Sequence, residues 1–213
     1  MSVPPPILAA VAEYYAGKLR THGPTARGVD WRDARSQRLR FEQLLQVLRT
    51  EPDGTVADIG CGYGEMLRHM RERGLANRYF GLDIAPEMVA AARRLHGDDP
   101  AAFFEIGQMP SQPVDFIVAS GIFNVRLSFS PAAWEEYVLA TIDEMHLNSR
   151  RGFAFNCLTS YSDPPLMKPE LHYADPCGYF DRCKRRYSRQ VALLHDYGLY
   201  EFTIIVRKPE GGA

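Results

Sequence analysis

The stretch Val56-Ala57-Asp58-Ile59-Gly60-Cys61-Gly62-Tyr63-Gly64-Glu65-Met66-Leu67 decides the fold. A short apolar run ends in an acid, glycines follow at positions 60, 62 and 64, and an amphipathic helical pattern begins. Glycines at that spacing permit a tight turn and let a ligand lie against bare backbone, where a Cβ would collide. The helix that follows aims its unpaired N–H groups and the positive end of its dipole at the same place. A dinucleotide fingerprint, G-x-G-x-x-G, would put its third glycine at Glu65, whereas here it comes one residue early. Asp58, just before the turn, would repel a pyrophosphate and suits a cationic ligand, such as an amino-acid ammonium beside a sulfonium. A purely structural turn is the alternative, and the rest of the chain has to decide.

Downstream, strands and helices alternate. Met66, Leu67 and Met70 give a helix its inner face, closing at Gly74. Residues 78–83 read as a second strand ending in Asp83, and Pro86 opens a helix that runs to Gly97. Strands are expected over 102–106 and 115–119. Ser130 and Pro131 then open a helix as N-cap and first-turn proline, with Trp134, Val138, Ile142 and Met145 in register. A fifth strand is expected over 152–158, a helix over 179–186, and two final β runs near 191–195 and 201–208. Upstream, a short helix is expected over 7–19, a loop over 21–33, and a helix carrying Phe41, Leu44, Leu45 and Leu48 that breaks at Pro52-Asp53-Gly54. Alternation followed by a terminal hairpin predicts an α/β fold, with a mostly parallel sheet and one antiparallel strand.

With 213 residues, 46% of them hydrophobic, the chain predicts one domain over 1–213: a helical cap or lid over 1–50 and a core over 51–213. A formal charge of −1 gives no electrostatic case for nucleic acid or a membrane surface. Cys61, Cys157, Cys177 and Cys183 have neither C-x-x-C nor zinc spacing, so no metal is expected, and reduced thiols point to a cytoplasmic setting. The opening Pro4-Pro5-Pro6 is not a signal peptide, and no apolar run is long enough to span a bilayer.

Asp83 ends the second strand at the crevice side of an open α/β sheet, where an acid can accept from both ribose hydroxyls; a dipole-favouring acid near a helix start is the plainer role. Ile84 and Met88 are placed to flank an adenine, or to serve as plain core. Asp58-Ile59-Gly60-Cys61-Gly62-Tyr63-Gly64 closely resembles the first motif of the class I S-adenosylmethionine-dependent methyltransferases. Glu105-Ile106-Gly107-Gln108 matches a third motif, with Gln108 where the family usually has an acid for the adenine amino group. Asp115 to Asn124 resembles the fourth, which makes Ser120 and Asn124 candidates to meet cofactor or acceptor. Over residues 55–160 these ordered motifs imply a seven-stranded Rossmann-like sheet with helices on both faces. They also imply S-adenosylmethionine as donor, S-adenosylhomocysteine as product, and Gly60, Cys61 and Gly62 among the cofactor contacts. The stretches 121–127, 154–161 and 195–202 look like a bacterial subgroup of small methyltransferases.

Methyl transfer depends mainly on positioning in a dry site, and needs a base only for an acceptor proton of high pKa. Tyr161 at the end of the fifth strand and His195 at the terminal hairpin are the candidate bases. Tyr15 and Trp31 in the N-terminal segment, and Tyr173 in the proline-rich loop over 162–178, are candidates to bind the acceptor or close over it. A small-molecule acceptor is the expectation, with the oligomeric state open. The alternatives are an RNA or protein methyltransferase, a cofactor-binding protein without activity and, third, a nicotinamide dehydrogenase, which Glu65 disfavours.

Overall fold

The computed structural model describes residues 5–48 and 53–209. The boundary expected at residues 50–51, Pro4 and Pro52 lie outside the described residues.

A mostly parallel sheet runs through the middle of the molecule. Its strands are β1 (Thr55–Ile59), β2 (Arg78–Asp83), β3 (Ala102–Ile106), β4 (Val114–Ala119), β5 (Ser149–Thr159), β6 (Tyr173–Ala174), β7 (Gln190–Leu194) and β8 (Glu201–Arg207). The order β3-β2-β1-β4-β5-β8-β7 forms one path, and β8 is antiparallel to both of its neighbours. The path holds the seven expected strands. The eighth, β6, pairs two residues with Leu158 and Thr159 inside what the sequence reads as a loop. Two residues carry no alternation to read.

Among the described residues six α-helices flank the sheet: α1 (Pro5–His22), α2 (Ala34–Leu44), α3 (Glu65–Glu72), α4 (Pro86–His96), α5 (Pro131–Asn148) and α6 (Pro176–Arg186). Neighbouring strand residues feed opposite faces. Ile117, Ala119, Phe153 and Phe155 belong to the cluster under α5 and α6, while Phe116, Val118 and Ala154 join Met66, Leu67 and Met70 of α3 on the other side. The connection from β3 to β4, residues 107–113, carries no helix. On that face α1 supplies Ile7 and Val11 to the cluster around Trp134, Tyr137 and Ile142.

The ends of elements depart from the sequence expectations for local reasons. β5 starts three residues early, at Ser149, because Ser149 pairs with Val114 across a bulge; Arg150 and Arg151 hide that start from a hydrophobic reading. α1 extends at both ends, its prolines tolerated in the first turn. Residues 26–29 of the expected loop wind into a 3₁₀ turn. α6 begins at Pro176 because Asp175 accepts the Cys177 N–H at 3.0 Å, and Ser130 caps α5 in the same way through the Ala133 N–H at 3.2 Å. Among the described residues no helix is long and apolar enough to cross a membrane, and the four cysteines are free.

Candidate functional site

β1, β2 and β4 all end on one side of the sheet, and the glycine turn follows the first of them. Gly60 and Cys61 both donate to the Leu82 carbonyl, at 2.7 and 3.0 Å, tying the turn to the end of β2. Gly60 has φ 71° and Gly62 φ 56°, a region that L side chains enter only with strain. Space also excludes a side chain: a Cβ on Gly60 would run into Ile122 Cγ2, and one on Gly62 would lie 2.9 Å from Val29 Cγ1.

Two carboxylates face this turn. Asp58 is 2% exposed; Tyr79 donates to its Oδ2 at 2.6 Å, and its Oδ1 has no hydrogen-bond partner. Burial pushes the Asp58 carboxyl up to about 7, the Tyr79 hydroxyl opposing and the Asp83 charge adding. Asp83 accepts from Gly62 N–H and Ala85 N–H, each at 2.9 Å, yet burial still raises it to about 6. Two acids held partly against their ionisation in one small space make a site that a cation would relieve.

These groups open into a single cleft. Asp58, Gly60, Cys61, Gly62, Asp83, Ile84, Met88, Gly107, Gln108 and Ser120 all line it, drawn together from the ends of four strands and the first turn of α4. Ser120 Oγ, like Asp58 Oδ1, lacks a hydrogen-bond partner. The opposite wall comes from the N-terminal segment, where Tyr15 of α1 and Trp31 line the cleft beside Val29 and Gln37. Burial raises the Tyr15 and Tyr137 hydroxyls well above their ordinary range and Tyr63 to about 12, so none of the three is an anion at neutral pH.

Four candidates do not line this cleft. Tyr161 is 67% exposed, and its ring lies 5.8 Å from that of exposed His195 at the outer end of the sheet. β5 runs one residue past Leu158, and Tyr161 sits in the turn beyond it, so its side chain faces outward. Asn124 is buried and spends its amide on the framework, its Oδ1 accepting from Leu158 N–H at 3.0 Å. Tyr173 lies on β6, its hydroxyl accepting from Lys168 N–H at 2.9 Å. Conversely, Tyr137 and Thr141 of α5 and Ile122 line the cleft without having been singled out by sequence. Thr141, one turn after Tyr137 on an apolar stripe, was the available signal.

The family described as "Methyltransferase domain" matches residues 56–146. A Mycobacterium tuberculosis protein provisionally named a methyltransferase is 51% identical over 165 residues, 77% of this chain and 99% of its own length. Among solved structures, the DhpI–SAH complex superposes with a TM-score of 0.62 at 16% identity, covering 97% of this chain and 98% of that one. Magnesium protoporphyrin IX methyltransferase from Synechocystis PCC 6803, with bound SAH, gives 0.61 at 11% identity, covering 81% and 84%.

Proposed function

The chain belongs to the methyltransferases, and on that premise we propose that it is a class I, S-adenosylmethionine-dependent enzyme that methylates a small molecule enclosed beneath its N-terminal segment. The observation that carries the reading is the pair Asp58 and Asp83 beside the glycine turn: two buried acids, one with an unpartnered oxygen, at adjacent strand ends. That chemistry fits the donor, which brings a sulfonium and an α-ammonium together with a ribose. Asp58 would hold the cationic amino-acid end against the bare backbone of Gly60 and Gly62. Asp83 would accept from the ribose hydroxyls, while Ile84 and Met88 would flank the base and Gln108 would meet its edge.

When bound, the donor supplies an electrophilic methyl on a cationic sulfur, which passes in line to the acceptor and leaves S-adenosylhomocysteine. What the chain contributes is position and dryness. Val29 and Ile122 lie directly over the glycine turn, and Tyr15 and Trp31 close the side facing it, so the reacting atoms would meet away from water. Among the described residues no histidine lines the cleft, and a catalytic base is not part of this proposal. An acceptor that fits between these walls is small; a macromolecule would have to present a single side chain or base through the mouth. A cytoplasmic setting suits the four free thiols.

The test is transfer from methyl-labelled S-adenosylmethionine, offered separately to a metabolite extract, to RNA and to protein. Label in a small product supports the reading. Label in RNA or protein alone would replace the acceptor class, and donor binding without any transfer would leave a binding protein.

A further inference from the structure

Among the described residues the most deeply buried ion pair joins α2 to β8, with Arg40 and Glu201 8% and 1% exposed. Arg40 donates from Nε and Nη2 to the two carboxylate oxygens of Glu201, both at 2.7 Å, and from Nη1 to the Ser36 carbonyl at 2.7 Å. Asn156 Nδ2 adds a bond to Glu201 at 2.6 Å and Asn124 Nδ2 a longer one at 3.4 Å, so the carboxylate is saturated. A buried pair of this kind contributes little net stability beside an apolar pair of the same volume. Its consequence is to be sought in what it holds in place.

It holds two things, and they touch. On one side the Arg40 guanidinium lies 4.0 Å from the centroid of the Trp31 ring. On the other, Asn156 Oδ1 accepts the Gly121 N–H at 2.8 Å. Trp31 and Gly121 then meet, closely enough that a Cβ on Gly121 would run into the indole. The ring Trp31–Arg40–Glu201–Asn156–Gly121 is therefore closed on itself. Two of its members, Trp31 and Gly121, line the cleft beside Ser120 and Ile122.

We infer that Glu201 and Arg40 are positioning residues for methyl transfer: through Arg40 they fix the indole of Trp31, and through Asn156 the turn after β4, as two meeting walls of the acceptor end. The inference rests on the methyltransferase reading. None of the five ring members is among the groups assigned to the donor, so disturbing the ring should separate acceptor positioning from donor binding.

The experiment compares the intact protein with Glu201→Gln and with the double variant Arg40→Met, Glu201→Leu. The double variant fills the same space with apolar groups and stays measurable if the uncompensated arginine of Glu201→Gln prevents folding. Three readouts are taken: calorimetric binding of S-adenosylhomocysteine, acrylamide quenching of fluorescence, and transfer from labelled S-adenosylmethionine into a metabolite extract. Trp134 is wholly buried, so quenchable emission reports Trp31. The expected result is a dissociation constant and a donor KM within about twofold of wild type, as for sites sharing no partner. Maximal transfer per S-adenosylhomocysteine-binding site should fall by about 10–100-fold, the scale of a small displacement at a reacting centre. Trp31 should become more quenchable. Wild-type transfer per binding site with unchanged quenching in the double variant would overturn the inference and leave the pair as framework. A wild-type protein that takes up no S-adenosylhomocysteine would overturn both the inference and the reading beneath it.

Discussion

The two walls of the cleft are built by opposite means. The wall of Asp58, Gly60, Gly62 and Asp83 comes from 26 consecutive residues, 58–83, and is fixed by backbone: a turn pinned to the Leu82 carbonyl and an acid anchored by two amides. The facing wall of Tyr15 and Trp31 comes from the N-terminal segment and is fixed by side chains, with a link behind Trp31 from residue 40 to residue 201. Backbone geometry tolerates few substitutions, whereas side-chain geometry can be retuned. A general ligand is expected on the first wall and a particular one on the second.

The largest effect expected from breaking the first wall is that of Gly60→Val. A β-branched residue at φ 71°, meeting Ile122, should cost about 1–3 kcal/mol in backbone strain alone. Calorimetry should find binding of S-adenosylhomocysteine abolished, while the circular dichroism of the variant stays native. Asp83→Ala comes next: losing an ionised acceptor worth about 1.5–3 kcal/mol per hydrogen bond should weaken the same binding at least about tenfold. If the apo protein unfolds instead and the surviving fraction binds normally, Asp83 is a cap for the turn and not a ribose partner.

A third prediction uses pH. The Asp58 and Asp83 carboxyls, raised to about 7 and about 6, bind more protons folded than unfolded between roughly pH 4 and 7. Their contribution to apo stability therefore increases as pH falls through that window, and Asp58→Asn should remove its own part of the increase in denaturant titrations. A cationic ligand favours the ionised form, so uptake of S-adenosylhomocysteine should release protons. Its affinity should fall below about pH 7, by at most about tenfold per pH unit for each group. Affinity independent of pH from 8 to 5 would argue that Asp58 does not meet the ligand's charge.

The smaller effects belong to the second wall and beyond it. Trp31→Ala should lower transfer more than it lowers the unfolding temperature, and amide exchange across residues 18–37 should slow when S-adenosylhomocysteine is added. Unchanged exchange there, with a stability loss of about 3–5 kcal/mol in the variant, would mark Trp31 as plain packing. Smallest of all, Tyr161→Phe and His195→Ala should leave transfer unchanged and stability within about 0.5 kcal/mol, as for surface positions. A hundredfold loss in either would move the chemistry out of the cleft.

The same contrast explains what was legible in the sequence. Strand, acid, glycine turn and helix are contiguous from Val56 to Leu67, so local pattern was enough to bring Asp58, Gly60, Cys61 and Gly62 to the cleft, and a second acid-ended strand brought Asp83. Tyr161, placed by the rule that central strands end at the crevice, was misplaced by two residues of turn beyond β5. Asn124 looked like an acceptor contact because it follows the fourth motif; its amide instead holds Leu158 and Glu201, partners 34 and 77 positions away. Tyr137 and Thr141 were hidden because on α5 they share a helix with residues of the main core. Long-range pairing leaves no periodicity to read.

The link between residues 40 and 201 also dictates an order of events during synthesis. Arg40 leaves the ribosome 161 residues ahead of its partner. At about 5–20 residues per second, that is a wait on the order of ten seconds. Early in that interval β1, α3 and β2 can assemble with Phe41 and Leu44 of α2, whereas Ile7 and Val11 of α1 wait for Trp134, Tyr137 and Ile142 of α5. The tie between Arg40 and Glu201, which backs the Trp31 side of the cleft, therefore closes only after β8 has been made.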